Sequence, residues 1–144
     1  MTRIFTIGYE DTTMADFLAA LQKAHVRQVL DVRAIAASRR PGFSKSALAA
    51  TLREAGIDYV HLRALGTPKA GREAARKGDR AELSRIYAGQ LALPEAQAEV
   101  AKMHALAKEK PSALLCYERD PAACHRTVLL AMEGEGLEAT DLFA

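Results

Sequence analysis

Apolar, β-rich runs alternate with stretches of helical periodicity along this chain, and that alternation restricts its fold more than any other feature. Arg3–Tyr9 (RIFTIGY) reads as a first strand, broken at Gly8. Val26–Arg33 (VRQVLDVR), Ile57–Leu62 (IDYVHL) and Ser112–Tyr117 (SALLCY) read as three more. Between the first two, Met14, Phe17, Leu18 and Leu21 keep helical spacing behind Thr12 or Thr13 as a cap. Ser44 caps a second helix that carries Leu48, Leu52 and Ala55 and stops at Gly56. Further helices are expected over Arg80–Leu91, Pro94–Lys110 and Cys124–Glu133, and Leu137–Phe143 as a last strand or extended tail. Arg63–Asp79 has few apolar anchors and reads as a long mobile loop with no more than one helical turn.

Strands that alternate with helices predict βαβ units: an α/β, three-layer, Rossmann-like domain with a mainly parallel sheet of roughly four or five strands. At 144 residues the chain suits one such domain. Ligands of these sheets bind beyond the carboxyl ends of the strands, near a switch in strand order. Polar residues fall there four times: Tyr9 and Glu10, Asp31 and Arg33, His61 and Arg63, and Cys116 to Glu118.

Charge points to an anionic partner. Residues 27–85 hold 13 Lys/Arg against 6 Asp/Glu, and the rest of the chain holds 7 against 12. Such a basic middle suits phosphate, a nucleotide or nucleic acid. No stretch approaches the roughly 18 to 20 apolar residues of a membrane helix, and the N-terminus has no signal-peptide pattern, so a cytoplasmic location is expected. With only two cysteines, Cys116 and Cys124, the chain is expected to keep them as free thiols, a Cys116–Cys124 bridge being the less expected alternative. The sequence leaves the oligomeric state open.

The strings TIGYE, LDVR, SRRPGFSK, AGIDYVHLRALG and LLCYERDPAACHR, in this order, resemble the bacterial and archaeal family known as domain of unknown function 488. That resemblance covers nearly the whole chain and implies a cytosolic α/β protein, with no activity attached. A weaker likeness is to rhodanese and phosphatase domains, where a DVR-like strand end precedes a cysteine loop. Here Cys116 and Cys124 stand at other distances from Arg126 than that compact loop requires.

The candidate residues follow from these positions. Cys124 opens a helix beside His125 and Arg126, where the helix dipole and a neighbouring cation would lower a thiol pKa and make a nucleophile. Packing is the alternative for Cys124, and the expected role of Cys116. Arg126 offers a fork suited to phosphate, or else a salt bridge to Glu118 or Asp31. Arg39, Arg40 and Lys45 flank Pro41-Gly42-Phe43 like a phosphate-binding loop, with Arg33 pointing to the same edge. Phe43 is expected to plug the core beneath it, with stacking on a base as the alternative. Tyr9 and Glu118 join Cys124 and His125 as candidates for acid–base or nucleophilic work, while Asp31 is expected to hold Arg33 in place. No CxxC or HxxxH spacing marks a metal site, and no motif calls for a cofactor. The expectation is a crevice that takes a phosphate-bearing substrate, with a non-catalytic nucleic-acid or protein binding module as the alternative.

Overall fold

The computed structural model describes residues 1–144. It contains a five-stranded, all-parallel sheet formed by β1 (Thr2–Gly8), β2 (Gln28–Asp31), β3 (Asp58–His61), β4 (Ser112–Cys116) and β5 (Leu137–Leu142), in the order β3-β2-β4-β1-β5. Six helices accompany it: α1 (Met14–Lys23), α2 (Lys45–Glu54), α3 (Lys69–Arg76), α4 (Arg80–Leu91), α5 (Pro94–Glu109) and α6 (His125–Glu133). The three-layer Rossmann-like arrangement expected from the alternation is the one observed.

The strand sequences explain their places. All residues of β2 (QVLD) and β4 (SALLC) are buried, as central strands covered on both faces require. The edge strand β5 (LEATDL) is largely exposed and polar, and its pairing with β1 from Thr2↔Leu137 to Ile7↔Leu142 makes it a true strand. Alternate residues then feed two cores. Phe5, Ile7, Val29, Ala113 and Leu115 pack under Phe17 and Leu21 of α1 and Leu48 and Leu52 of α2. Ile4, Leu30 and Leu114 face Tyr87 and Leu91 of α4, Met103 of α5 and Leu129 of α6 on the other side. The chain thus steps from β1 to β3 along one face and returns along the other, as right-handed crossovers dictate.

One expectation fails. The segment 63–79 is not a long loop: a 3₁₀ turn at Arg63–Leu65 leads into the eight-residue helix α3. This helix docks through its small residues Gly71 and Ala74, both buried, and so shows none of the large apolar anchors by which an amphipathic helix is read. Gly66 lets its approach run tight against β2's exit, for a Cβ there would lie 2.2 Å from the Ala34 nitrogen.

The topology places a crevice. From β1 the chain leaves towards β2, and from β4 it leaves towards β5, so these adjacent strands send their connections in opposite directions. Tyr9, Asp31, Arg33 and Glu118 all emerge at the carboxyl ends around that switch.

Candidate functional site

The exits of β1 and β4 are held against each other by backbone. Tyr9 and Glu10 both donate N–H groups to the Tyr117 carbonyl, at 3.1 and 2.8 Å. Only glycine fits at position 8, since a Cβ would stand 1.9 Å from the Glu118 carbonyl oxygen. On this frame rests a cavity of about 660 Å³, walled by the 33–39 loop, by α3 and by the residues after β4.

Beneath its floor, Arg33 and Asp31 form a buried pair. Arg33 Nε and Nη2 donate to the Asp31 carboxylate at 2.9 and 2.7 Å, and Nη1 donates to Tyr9 Oη at 3.1 Å and to the Phe43 carbonyl at 2.7 Å. Tyr59 donates its hydroxyl to the same carboxylate. Burial works against the Arg33 charge, and Asp31 outweighs it, holding the guanidinium above its ordinary range. Phe43 plugs the core, stacked on Tyr9 with ring centroids 4.6 Å apart. Arg33 is therefore not a free anion grip: four of its five N–H groups already serve the fold. The Tyr9 hydroxyl is likewise taken up by Arg33.

The other cations divide by direction. Arg39 lines the cavity. Arg40 turns away and donates Nε and Nη2 to the Thr12 carbonyl, at 3.1 and 2.7 Å, and Lys45 is exposed outside the cavity at the start of α2. A compact phosphate loop of Arg39, Arg40 and Lys45 does not form, because the side chains leave the turn in different directions. In their place α3 supplies Arg72 and Arg76, one turn apart on the face that lines the cavity. These two were missed with the helix itself. The signal present in the sequence was Pro68 followed by KAGREAAR, an Ala-rich run of strong helix formers.

At the end of β4 the two cysteines are bonded to each other, Cys116 Sγ to Cys124 Sγ. This corrects the expectation of two free thiols, and with it the picture of Cys124 as a standing nucleophile. The turn over Pro121–Ala123 brings the last residue of β4 and the N-cap of α6 face to face. Both cysteines are buried, and Cys116 borders the cavity.

Arg126 lies behind them, fully buried, with no carboxylate partner. The anticipated salt bridge to Glu118 or Asp31 is absent. Its Nη1 donates to the Glu118 carbonyl at 2.6 Å and approaches Cys116 Sγ at 2.9 Å, Nη2 donates to the Arg119 carbonyl at 3.2 Å, and Nε has no partner. Burial lowers its pKa, and the Glu118 charge opposes that only in part. Arg126 thus does not reach the cavity as an anion clamp.

His125 has a defined proton. Its Nε2 lies 2.7 Å from the Val32 carbonyl, which can only accept, so Nε2 carries the hydrogen and Nδ1 keeps a lone pair. Nδ1 stands 3.7 Å from Cys124 Sγ. Burial pushes the imidazole down to about 4, with the Val32 bond opposing and Arg126 assisting, so the ring is neutral near pH 7. Glu118 borders the cavity with Oε2 3.4 Å from Cys116 Sγ, and burial raises its pKa.

Cys116, Cys124 and His125 bring three donor atoms within 4.8 Å of one another. The sulfurs are spent on each other and the Arg126 guanidinium abuts one of them, a setting that repels a cation. These residues do not fit a metal.

Residues 13–132 match the family described as domain of unknown function DUF488. The chain belongs to that family. The match takes in β2, β3, β4, all of α1 to α5 and most of α6, and every candidate residue except Tyr9. No curated protein and no solved structure matches the chain. Within this DUF488 chain no helix is long and apolar enough to cross a membrane.

Proposed function

We propose that this DUF488 chain is an enzyme whose crevice takes a small phosphate-bearing substrate of the nucleotide class. One observation carries the reading: Arg39, Arg72 and Arg76 surround a concavity that also holds Glu10 and Glu118. Arg72 spends one Nη1 N–H on the Thr67 carbonyl, at 2.7 Å, and Arg39 and Arg76 donate to no protein group. Cations with N–H groups to spare around a hollow fit a compact anion, whereas a duplex calls for a broad positive stripe without carboxylates in its path. Tyr117 and Ile35, both exposed on the same lining, offer an apolar wall on which a base can rest.

In this reading Arg39, Arg72 and Arg76 hold the phosphate. Arg33, Asp31 and Tyr9 fix the floor, and Arg126 pins the 118–119 turn. Glu118, its pKa raised by burial, is suited to deliver a proton, while neutral His125 offers its Nδ1 lone pair as a hydrogen-bond acceptor.

Binding of AMP, ADP and inorganic pyrophosphate, measured by titration calorimetry, tests this. Charge-assisted hydrogen bonds contribute about 1.5–3 kcal/mol, so Arg72→Ala or Arg76→Ala is expected to weaken binding about tenfold or more each. Lys45→Ala, outside the cavity, is expected to change it less than about twofold. Equal losses from all three variants, or tight duplex DNA binding with a steep salt dependence, overturn the reading in favour of a nucleic-acid surface.

A further inference from the structure

The surroundings of the two cysteines ask for a negative charge that the disulfide does not provide. Arg126 is buried without a carboxylate, its Nη1 lies 2.9 Å from Cys116 Sγ, and its Nε is orphaned. A buried cation without a counter-ion is costly, and a sulfur in a disulfide is neutral. A thiolate on Cys116 would supply the missing charge at the place where Nη1 already points. Cys124 is equipped as well: its sulfur caps α6, accepting the Arg126 N–H at 3.5 Å, with the His125 Nδ1 lone pair at 3.7 Å. The bridge closes only eight positions of chain, toward the low end of what a disulfide contributes, in a fold that already has two apolar cores.

We propose that Cys116 and Cys124 form a thiol–disulfide exchange site, reached through the cavity by a dithiol partner and poised in the reduced state by Arg126. Cys116 borders the cavity and is the sulfur attacked. A thiolate of the dithiol bonds to Cys116 Sγ, the Cys116–Cys124 bond breaks, and its electron pair leaves on Cys124 at the helix N-terminus. The second thiolate of the dithiol then attacks the partner's own sulfur in the mixed disulfide and expels Cys116 as a thiolate onto Arg126. The dithiol loses two electrons and becomes a disulfide, and the cysteine pair gains them. Of the dithiol's two protons, one ends on Cys124, whose S–H can donate to His125 Nδ1, and the other passes to water. A disulfide partner runs the same steps backwards. Glu118 Oε2, 3.4 Å from Cys116 Sγ, places a carboxylate that disfavours this thiolate when ionised.

The test equilibrates the whole chain in graded mixtures of reduced and oxidised dithiothreitol, without denaturant, and counts thiols by maleimide labelling after an acid quench. The wild-type chain is expected to move between zero and two thiols in one step while its circular dichroism is unchanged. Arg126→Gln is expected to demand about tenfold more reductant at the midpoint, and Glu118→Gln about threefold less, in opposite directions because the two groups carry opposite charges. In the reduced wild type, labelling of Cys116 should stay fast below pH 7, and in Arg126→Gln it should require a pH above about 8. If Arg126→Gln does not fold, the Glu118→Gln shift and the wild-type labelling profile decide. A pair that dithiothreitol reaches only after denaturation, or midpoints that stay within twofold in every folded variant, overturn the proposal.

Discussion

Replacing Asp31 with Asn is expected to cost about 3–5 kcal/mol of stability, because it removes one member of a buried ion pair and leaves the other charged. Arg33 is almost wholly buried and relies on the Asp31 carboxylate for its only anionic contact. The amide would still accept one hydrogen bond, but it brings no charge to offset the buried guanidinium, and the Tyr59 hydroxyl loses its charged acceptor. The loss propagates, since Arg33 ties Tyr9 and the Phe43 carbonyl to the end of β2 and so sets the floor of the cavity. Urea unfolding followed by far-ultraviolet circular dichroism measures it. Changing both partners to apolar residues, Asp31→Leu with Arg33→Met, is expected to be much milder, because no charge is then stranded. A single-variant cost below about 1 kcal/mol would show that water reaches the pair and that it does not anchor the site.

The second large effect is a dependence on pH that belongs to His125. In the folded chain burial holds its pKa near about 4, against 6.5 for an ordinary histidine. Below the higher value the unfolded chain binds a proton that the native imidazole refuses, so stability falls as the pH drops from about 6.5 to about 4. The difference corresponds to about 3 kcal/mol. Glu118 acts in the opposite sense: its raised pKa means that the folded chain holds a proton longer, and stability falls as the pH rises above the ordinary carboxyl range. The two slopes overlap, so the His125 share is read as the difference between the wild type and His125→Asn, which keeps a donor for the Val32 carbonyl. Urea midpoints of the two chains are expected to converge as the pH falls through that window. Parallel curves would mean that His125 is protonated in the native state, and the assignment of a free lone pair at Nδ1 would fall with it.

Much of this fold was legible because its strands and helices advertise themselves by apolar period. SALLC reads as a doubly covered strand, whereas LEATDL reads only as a last strand or extended tail, because an exposed, polar edge strand carries little apolar signal. What stayed hidden depends on side-chain direction. Arg39 and Arg40 are neighbours in sequence, yet one faces the cavity and the other reaches Thr12. No periodicity reveals that in a turn. Helix α3 was hidden for another reason: it packs through Gly71 and Ala74, and close docking of small residues leaves no hydrophobic stripe. With it went Arg72 and Arg76, the best-placed cations of the cavity. The cysteine pairing was hidden by an argument about compartment, which weighs how often bridges occur and says nothing of where two sulfurs meet.

The account stands or falls on whether the cavity between the 33–39 loop, α3 and the exit of β4 holds a phosphate. Amide and arginine side-chain NMR spectra of the chain, titrated with ADP, measure this residue by residue. The expected result is saturable shifts at Arg39, Arg72, Arg76 and Glu118, with Lys45 and the outer face of α2 unmoved. No shift in this set at millimolar ADP, or shifts confined to Lys45 and α2, would contradict it.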